Sequence, residues 1–171
     1  MELQNKVPIK SQINKELMEN EINIRNYVTS DYQSTLEILK QLHDKYDIGL
    51  KEEHWRPISG LRQFKPNLKR ITLIAELKST KEVIGMGMLK AFKNTLGQYI
   101  GYLENWAITK EFIGKNVGRF LADRAIKILR SWGCESIRIN LAHGAPEKLL
   151  KVFGKAGFAP IITVLEKRFI M

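Results

Sequence analysis

The chain has 171 residues, of which 44% are hydrophobic and 27% charged, as is usual for soluble globular proteins. No apolar run approaches the roughly 18 residues that a membrane span needs, and the first residues lack the pattern of a secretory signal. We therefore expect a cytoplasmic location. The net charge of +10 favours anionic ligands such as nucleotides or phosphorylated metabolites. Because the basic residues are scattered over every segment, nucleic acid is not an expected partner.

Hydrophobic periodicity predicts a single domain over residues 21–171, preceded by an N-terminal extension over residues 1–20 that is flexible or forms a short helix over 11–18. Strands are recognised by alternation of period two and helices by apolar residues three and four apart. In chain order the pattern predicts a strand (22–28), a helix ending near Tyr46, a weaker helix (52–64), three strands (70–77, 83–92 and 99–109), a helix (115–132), a strand (136–141), a helix (146–156) and a strand (158–169).

The connections between these elements predict how the strands pair. Short polar turns at residues 78–82 and 93–97 join the three central strands, and such turns lead to antiparallel pairing. The later helices are crossovers, which place neighbouring strands parallel. We therefore expect a mixed sheet that is antiparallel in its first half and more parallel in its second.

The weaker helical stretch over residues 52–64 lies where a substrate lid would be. His43 and His54 accompany Trp55 in this region and are candidates for contacts with a substrate. No two histidines have the spacing of metal ligands, and Cys134 is the single cysteine. We therefore expect neither a metal nor a disulfide.

A glycine-bearing turn over residues 111–121 joins a predicted strand to a long amphipathic helix. The first N–H groups of a helix lack acceptors within the helix and lie at the positive end of its dipole, so phosphate is a natural ligand there. Gly114 and Gly118 allow a ligand to approach the backbone, and Lys115 and Arg119 add positive charge. A structural turn without a ligand is the alternative.

Three short motifs lie in the second half of the chain. They read Tyr102-Leu103-Glu104-Asn105-Trp106-Ala107-Ile108-Thr109, Ile113-Gly114-Lys115-Asn116-Val117-Gly118 and Ala156-Gly157-Phe158. Together they resemble the GNAT superfamily of acetyl-CoA-dependent N-acetyltransferases, and the order of elements agrees from about residue 22 onward. The resemblance implies an α/β (α+β) fold with a GNAT-like mixed, mostly antiparallel sheet of about six to seven strands flanked by about four helices.

The turn pattern of this family, Gln/Arg-x-x-Gly-x-Gly/Ala, falls on Ile113, Asn116 and Gly118. The chain departs from it at the first two positions, although Asn tolerates left-handed backbone better than most residues. The resemblance implies acetyl-CoA as co-substrate, with its pyrophosphate on the N–H groups of the turn and its pantetheine arm along the preceding strand. The expected cofactor-binding residues are Trp106, Ala107, Ile108, Ile113, Gly114, Lys115, Asn116, Val117, Gly118, Arg119 and Phe153.

The resemblance also implies acetyl transfer to a primary amine. Only a neutral amine can attack a thioester, and an amine with a pKa near 10.4 is neutral in about one molecule per thousand at pH 7. Glu104 is the expected base, since several family members carry an acidic residue there; a solvated carboxylate in an ion pair is the alternative. The tyrosine that protonates the CoA thiolate in many members aligns with Phe153, which has no proton to donate. Tyr102 is the candidate substitute.

The motifs leave the acceptor open. Residues 101–118 and 132–134 also resemble glucosamine-6-phosphate N-acetyltransferases, while peptide N-termini, lysine side chains, polyamines and antibiotics are further candidates. The expected partners are acetyl-CoA and an amine-bearing small molecule or peptide, without a membrane, and a homodimer is left open. A catalytically weak acyl-CoA-binding or sensing domain is the alternative function, and Phe153 favours it.

Overall fold

The structure, a computed structural model, describes residues 20–46, 50–141 and 147–161. The strands are β1 (Ile22–Asn26), β2 (Gln63–Lys65), β3 (Leu68–Leu77), β4 (Val83–Lys93), β5 (Tyr99–Ile108) and β6 (Ser136–Ile139). The α-helices with both ends described are α1 (Tyr32–Tyr46), α2 (Val117–Ser131) and α3 (Glu147–Lys155). Short 3-10 turns occur at Thr29–Asp31, Glu52–His54 and Lys110–Phe112.

The strands form one sheet in the order β1-β3-β4-β5-β6, with β2 also paired to β3. All pairs up to β5 are antiparallel, and short turns join β2 to β3, β3 to β4 and β4 to β5. β6 pairs parallel with β5 because α2 crosses over between them. The predicted mixed, mostly antiparallel sheet is therefore confirmed.

Alternation of side chains gives this sheet two apolar faces. The α2 face packs against α2, and its buried residues include Leu73, Leu89, Leu103, Val117, Leu121, Ala125 and Leu129. The α1 face packs against α1, and its buried residues include Leu36, Leu39, Ile74, Met86, Met88 and Ala107. Because both faces are covered, the central strands β3 and β4 are buried almost throughout.

The stretch over residues 52–64 is a loop, so the predicted helix there is wrong. Only Glu52–His54 forms a 3-10 turn, and the stretch ends by entering β2. Pro57 has no N–H to donate and so favours a loop, while its carbonyl accepts a hydrogen bond of 2.9 Å from the Tyr27 hydroxyl. Gly60 lies against the ring of Tyr27, where an added Cβ would come within 2.6 Å. Because of this loop, the described residues contain three α-helices with both ends described, fewer than the expected four or so.

Two other predicted elements fall wholly or partly outside the described residues. They are the helix over 11–18 and the strand over 158–169, of which residues 158–161 are described and have no regular structure. By contacts the chain divides into Met1–Asn140 and Leu141–Met171. In the second unit, Phe153 of α3 packs edge to face on Phe158, with ring centroids 5.6 Å apart. The single domain over residues 21–171 stays a prediction.

No helix within the described ranges is both long enough and apolar enough to cross a membrane.

A half-buried arginine ties β1 to β3 and to the start of α1. Arg25 donates from Nε to Glu76 at 2.6 Å and from Nη1 and Nη2 to Asp31 at 2.7 and 2.8 Å. Asn23 also donates to Glu76, and the Val28 N–H donates to Asp31. Burial raises the pKa of both carboxyl groups, but these hydrogen bonds and the positive charge outweigh it and hold both pKa values below their usual range.

Candidate active site

The turn between β5 and α2 contains two left-handed residues. Gly114 has a φ of +83° and Asn116 a φ of +62°, a region that suits glycine and that asparagine enters more readily than most residues. Because Asn116 is left-handed, α2 begins at Val117 and not at the expected Lys115. The asparagine that departs from the family pattern therefore fits the backbone conformation of this turn.

The N-terminus of α2 presents backbone N–H groups that no capping side chain satisfies. Asn116, at the N-cap, makes no side-chain hydrogen bond to the helix, and Phe120 N–H donates to the Asn116 carbonyl. The N–H groups of Val117, Gly118 and Arg119 precede that bond, so they have no acceptor inside the helix. They are available to an anion at the positive end of the helix dipole.

The space over this turn is open, while its base is fixed. A Cβ added at Gly114 would meet no atom within 4 Å, and the Ile113 side chain is 62% exposed. Phe112 and Val117 are each only 1% exposed and pack into the α2 face. Arg119 adds an exposed guanidinium whose Nε lies 3.8 Å from Asp123. The turn is thus open to ligand, flanked by buried side chains and accompanied by positive charge.

β5 contains a β-bulge at Asn105. The pairing with β4 shifts register between Met86 and Met88, and Asn105 has a φ of +51°. A bulge inserts an extra residue and reverses the alternation beyond it. Glu104 lies opposite Met88 on the α1 face, whereas Trp106, two residues later, packs with the α2 face.

The indole of Trp106 lies on Gly87 of β4. A Cβ added at Gly87 would come 2.4 Å from two carbons of this ring, while a Cβ added at Gly118 would lie 3.9 Å from its Nε1. The indole therefore extends from the bulge towards the first turn of α2. Glycine at position 87 is what allows this approach.

We expect Gly87→Ala to lower the free energy of unfolding by about 1–3 kcal/mol, because the added methyl group overlaps the ring. Gly118→Ala is the matched control, since its methyl group has an ordinary contact with the same indole. Urea unfolding of the two variants compares them directly. Equal stability of both variants and the wild type would contradict the packing of Trp106 on Gly87.

β5 and β6 separate at Glu104. They pair from Ile100↔Ser136 to Leu103↔Ile139, and within the described ranges no strand pairs with that side of β5 beyond Leu103. The backbone of residues 104–108 is therefore an open edge. An extended ligand with amide groups can add to such an edge as a short strand does.

The two predicted catalytic residues lie side by side on the α1 face, at the start of the open edge. The Glu104 side chain is 34% exposed, and its Oε1 lies 3.6 Å from Nζ of Lys90. Tyr102 stacks on Phe92 with ring centroids 4.9 Å apart, and its hydroxyl accepts a hydrogen bond of 3.5 Å from Arg138. Their catalytic roles stay predictions.

The predicted cofactor-binding residues, apart from Phe153 in the second unit, lie in two short groups, 106–108 at the end of β5 and 113–119 at the start of α2. Ala107 and Val117 are buried, so their backbone groups and not their side chains are available to a ligand. Trp106 and Ile108 are half-buried. No ligand contact of these residues is tested, and each stays a prediction.

A cleft of about 440 Å³ opens on the α1 face beside the bulge. It is lined by α1, by the loop that follows and by the central strands: Leu39, His43, Leu50, Lys51, His54, Trp55, Ser59, Arg70, Met88 and Asn105. Trp55 is held by a 3.1 Å hydrogen bond from its Nε1 to Thr35 and by an edge contact with Tyr27. The structure thus brings His43, His54 and Trp55 to one cleft, whose contact with a substrate stays a prediction.

Asn105 and Arg70 are cleft residues that sequence reasoning missed. Asparagine is disfavoured within strands, so Asn105 between strand-forming residues was a local signal for the bulge. No local signal marks Arg70, because its place beside the cleft depends on the pairing of β3 with β4.

Within the described ranges, no group of three or more His, Cys, Asp or Glu side chains could hold a metal ion. Burial raises the pKa of the Cys134 thiol, which keeps it protonated and weakly reactive.

An open helix N-terminus, a bulged strand and an adjacent open edge thus lie next to one another in a mixed α/β fold. Residues 30–158 match the acetyltransferase (GNAT) family, and the chain belongs to that family.

Solved structures of acetyltransferases are similar over nearly their whole length. One from Trypanosoma brucei is 21% identical, with a TM-score of 0.68 over 87% of this chain and 100% of that one. A glucosamine-6-phosphate N-acetyltransferase from Arabidopsis thaliana is 18% identical, with a TM-score of 0.68 over 87% of this chain and 99% of that one. An aminoglycoside acetyltransferase from an uncultured soil metagenomic sample, in complex with sisomicin, is 11% identical, with a TM-score of 0.65 over 90% and 99%. At these identities the likeness shows the GNAT fold. None of the curated proteins matches this chain by sequence.

Proposed function

We propose that the protein transfers the acetyl group of acetyl-CoA directly to a primary amine of a small molecule or peptide. The observation that carries this proposal is the uncapped N-terminus of α2, which follows the open edge of β5 after one short turn. The helix N-terminus suits a pyrophosphate, and the open edge suits a pantetheine arm. Family membership supports the same donor.

In this proposal the donor lies along residues 104–119. Its pyrophosphate accepts hydrogen bonds from N–H groups between Gly114 and Arg119, with Lys115 and Asn116 in the same turn. Its pantetheine amides pair with the edge of Trp106, Ala107 and Ile108. The exposed apolar surface of Ile113 lies beside this path, and Phe153 stays a predicted contact of the same arm.

The chemistry then needs one base and one acid. Glu104, directly or through a water molecule, takes a proton from the acceptor ammonium group. The neutral nitrogen attacks the thioester carbonyl carbon, so the C–N bond forms as the C–S bond breaks. The leaving CoA thiolate takes up a proton, for which Tyr102 is the proposed donor. A thiol pKa of about 8.5 makes that thiolate a fair leaving group even without help.

Binding of the proposed donor is tested by calorimetry with acetyl-CoA. We expect Arg119→Gln to weaken binding by roughly three- to tenfold, because it removes a charge beside the pyrophosphate. Arg130→Gln is the matched control, since Arg130 is also exposed but lies in the last turn of the same helix. No binding at millimolar acetyl-CoA would contradict the donor site.

Acetyl transfer is tested by measuring release of the CoA thiol across a panel of primary amines. Release above the hydrolysis background with at least one amine is the expected result. Tight binding without release for any amine would instead support the alternative, an acyl-CoA-sensing domain, which the phenylalanine at position 153 favours. A cytoplasmic location and a homodimer stay predictions.

A further inference from the structure

Three basic side chains lie in one row across the α1 face. Arg70 of β3 pairs with Lys90 of β4, Lys90 pairs with Tyr102 of β5, and Tyr102 pairs with Arg138 of β6. Residues paired across neighbouring strands have side chains on the same face. We call the three basic residues, Arg70, Lys90 and Arg138, the basic row; Tyr102 lies between the last two.

The positive charge of the basic row is only partly compensated within the described part of the chain. Lys90 faces Glu104 at 3.6 Å. Arg70 donates to the carbonyl of Ser59 at 3.0 Å, and Arg138 donates to the hydroxyl of Tyr102, so both of these acceptors are neutral. Among the described residues, the Nε atoms of Arg70 and Arg138 are buried and have no hydrogen-bond partner. Buried donors of this kind are costly, and they point to an anion that is bound during function.

Arg25 shows how the same chain stabilises a half-buried arginine that has a structural role. Its guanidinium meets two carboxylates, Asp31 and Glu76, at 2.6–2.8 Å. Arg70 and Arg138 have no such carboxylate among the described residues. Among the described residues, the difference favours a ligand as the source of the missing negative charge.

The basic row is too far from the turn to bind the donor phosphates. Tyr102 precedes Ile108, the end of β5, by six residues, which is roughly 15–20 Å along a strand. Glu104, in contrast, is only two residues from Tyr102, or about 7 Å along the strand. An anion on the basic row would therefore belong to the acceptor, with its amine near Glu104.

The cleft on the α1 face is lined by basic side chains as well. Arg70 and Lys51 line it together with His43 and His54, and none of the described residues that line it is acidic. Three carboxylates lie close by: Glu104 is opposite Met88 and 3.6 Å from Lys90, Glu53 is 3.8 Å from His54, and Glu52 pairs with Lys40 at 2.9 Å. None of these carboxylates lines the cleft, so a negative group can enter it beside Arg70.

We infer, on the basis of the proposed function, that the acceptor is a small primary amine carrying an oxyanion, either phosphate or carboxylate, and that the basic row binds this oxyanion. Guanidinium groups suit both because their N–H groups bind two oxygens at once. The amine then lies between Glu104 and the open edge of β5. The sequence contained no local signal for this site.

Matched pairs of amines test the inference. Glucosamine 6-phosphate is compared with glucosamine, and β-alanine with β-alaninamide, by kcat/KM for CoA release. We expect the anionic member of at least one pair to be favoured by roughly tenfold or more, since each charged hydrogen bond contributes on that scale. The two pairs distinguish phosphate from carboxylate.

Variants show whether the basic row causes this preference. Arg70→Gln and Arg138→Gln should each reduce the preference by roughly tenfold, mainly through KM, and Arg70→Lys should recover part of it. Arg130→Gln, which removes an exposed charge from α2, should leave it unchanged. Melting temperatures and acetyl-CoA binding, measured for every variant, exclude loss of fold as the cause.

Calorimetry of the same amine pairs without donor separates failure of this inference from failure of the proposed function. Binding of an anionic amine that depends on Arg70 would support the site even if no amine released CoA, and the transferase proposal would then be wrong. Acetylation without preference for the anionic members would overturn the inference alone. Equal binding of both members of each pair would overturn it as well.

Discussion

Replacement of Glu104 by glutamine should lower the rate of acetyl transfer at pH 7 by roughly 100- to 10,000-fold, the range of general base catalysis. Glutamine keeps the size of the side chain but does not accept a proton. The position supports this role: the carboxylate is partly exposed, lies where β6 leaves β5 and has Lys90 beside it at 3.6 Å.

The pH dependence of the transfer rate of Glu104→Gln tests this role more sharply than the rate at pH 7 alone. As the pH rises towards 9 and above, more of an amine with a pKa near 10 is already neutral, so the variant should recover rate relative to the wild type. Glu37→Gln, which removes an exposed carboxylate of α1, is the control and should behave like the wild type. A rate near that of the wild type at every pH would rule out Glu104 as the base.

Replacement of Arg25 by methionine should lower the free energy of unfolding at pH 7 by about 3–5 kcal/mol. Methionine fills much of the same space but leaves Asp31 and Glu76 buried without their cation. Domains of this size are stable by only about 5–15 kcal/mol, so the loss is a large part of the total. Arg130→Met, at an exposed position, should have little effect.

The pH dependence of the free energy of unfolding should also have the opposite sign in Arg25→Met and in the wild type. In the wild type both carboxyl pKa values lie below the usual values of about 4. Their contribution to stability is therefore complete above pH ~5 and is lost as the pH falls through the folded-state pKa values. Without Arg25, burial dominates and raises both pKa values, so the variant should become more stable between pH 7 and 5. Urea unfolding at both pH values measures this.

A second set of substitutions assigns this effect to the two carboxyl groups. Asp31→Asn and Glu76→Gln, introduced together with Arg25→Met, should remove the pH dependence between pH 7 and 5, because neither side chain then titrates. If Arg25→Met alone gains no stability between pH 7 and 5, the network is not the source of the stability assigned to it.

Patterns local to the sequence predicted much of the fold. The strand-like runs of β3 and β4 and the helical spacing in α2 are set by residues a few positions apart, and their bounds agree closely with the structure. The loop over residues 52–64 was mistaken for a helix because its short-range pattern is ambiguous. Its conformation depends on the contact of Gly60 with Tyr27, which is distant in sequence.

The sequence by itself determined the family and the order of the elements, since the turn motif and the periodicities are local. It also located the turn that we propose for the donor, because glycines and a helix start can be read within about ten residues. Only the tertiary structure decided which side chains share a surface. The bulge at Asn105 places Trp106 on the face opposite Glu104, and strand register brings Arg70 and Arg138 into one row. Register depends on pairing between distant segments, and a shift of one residue moves every side chain to the other face.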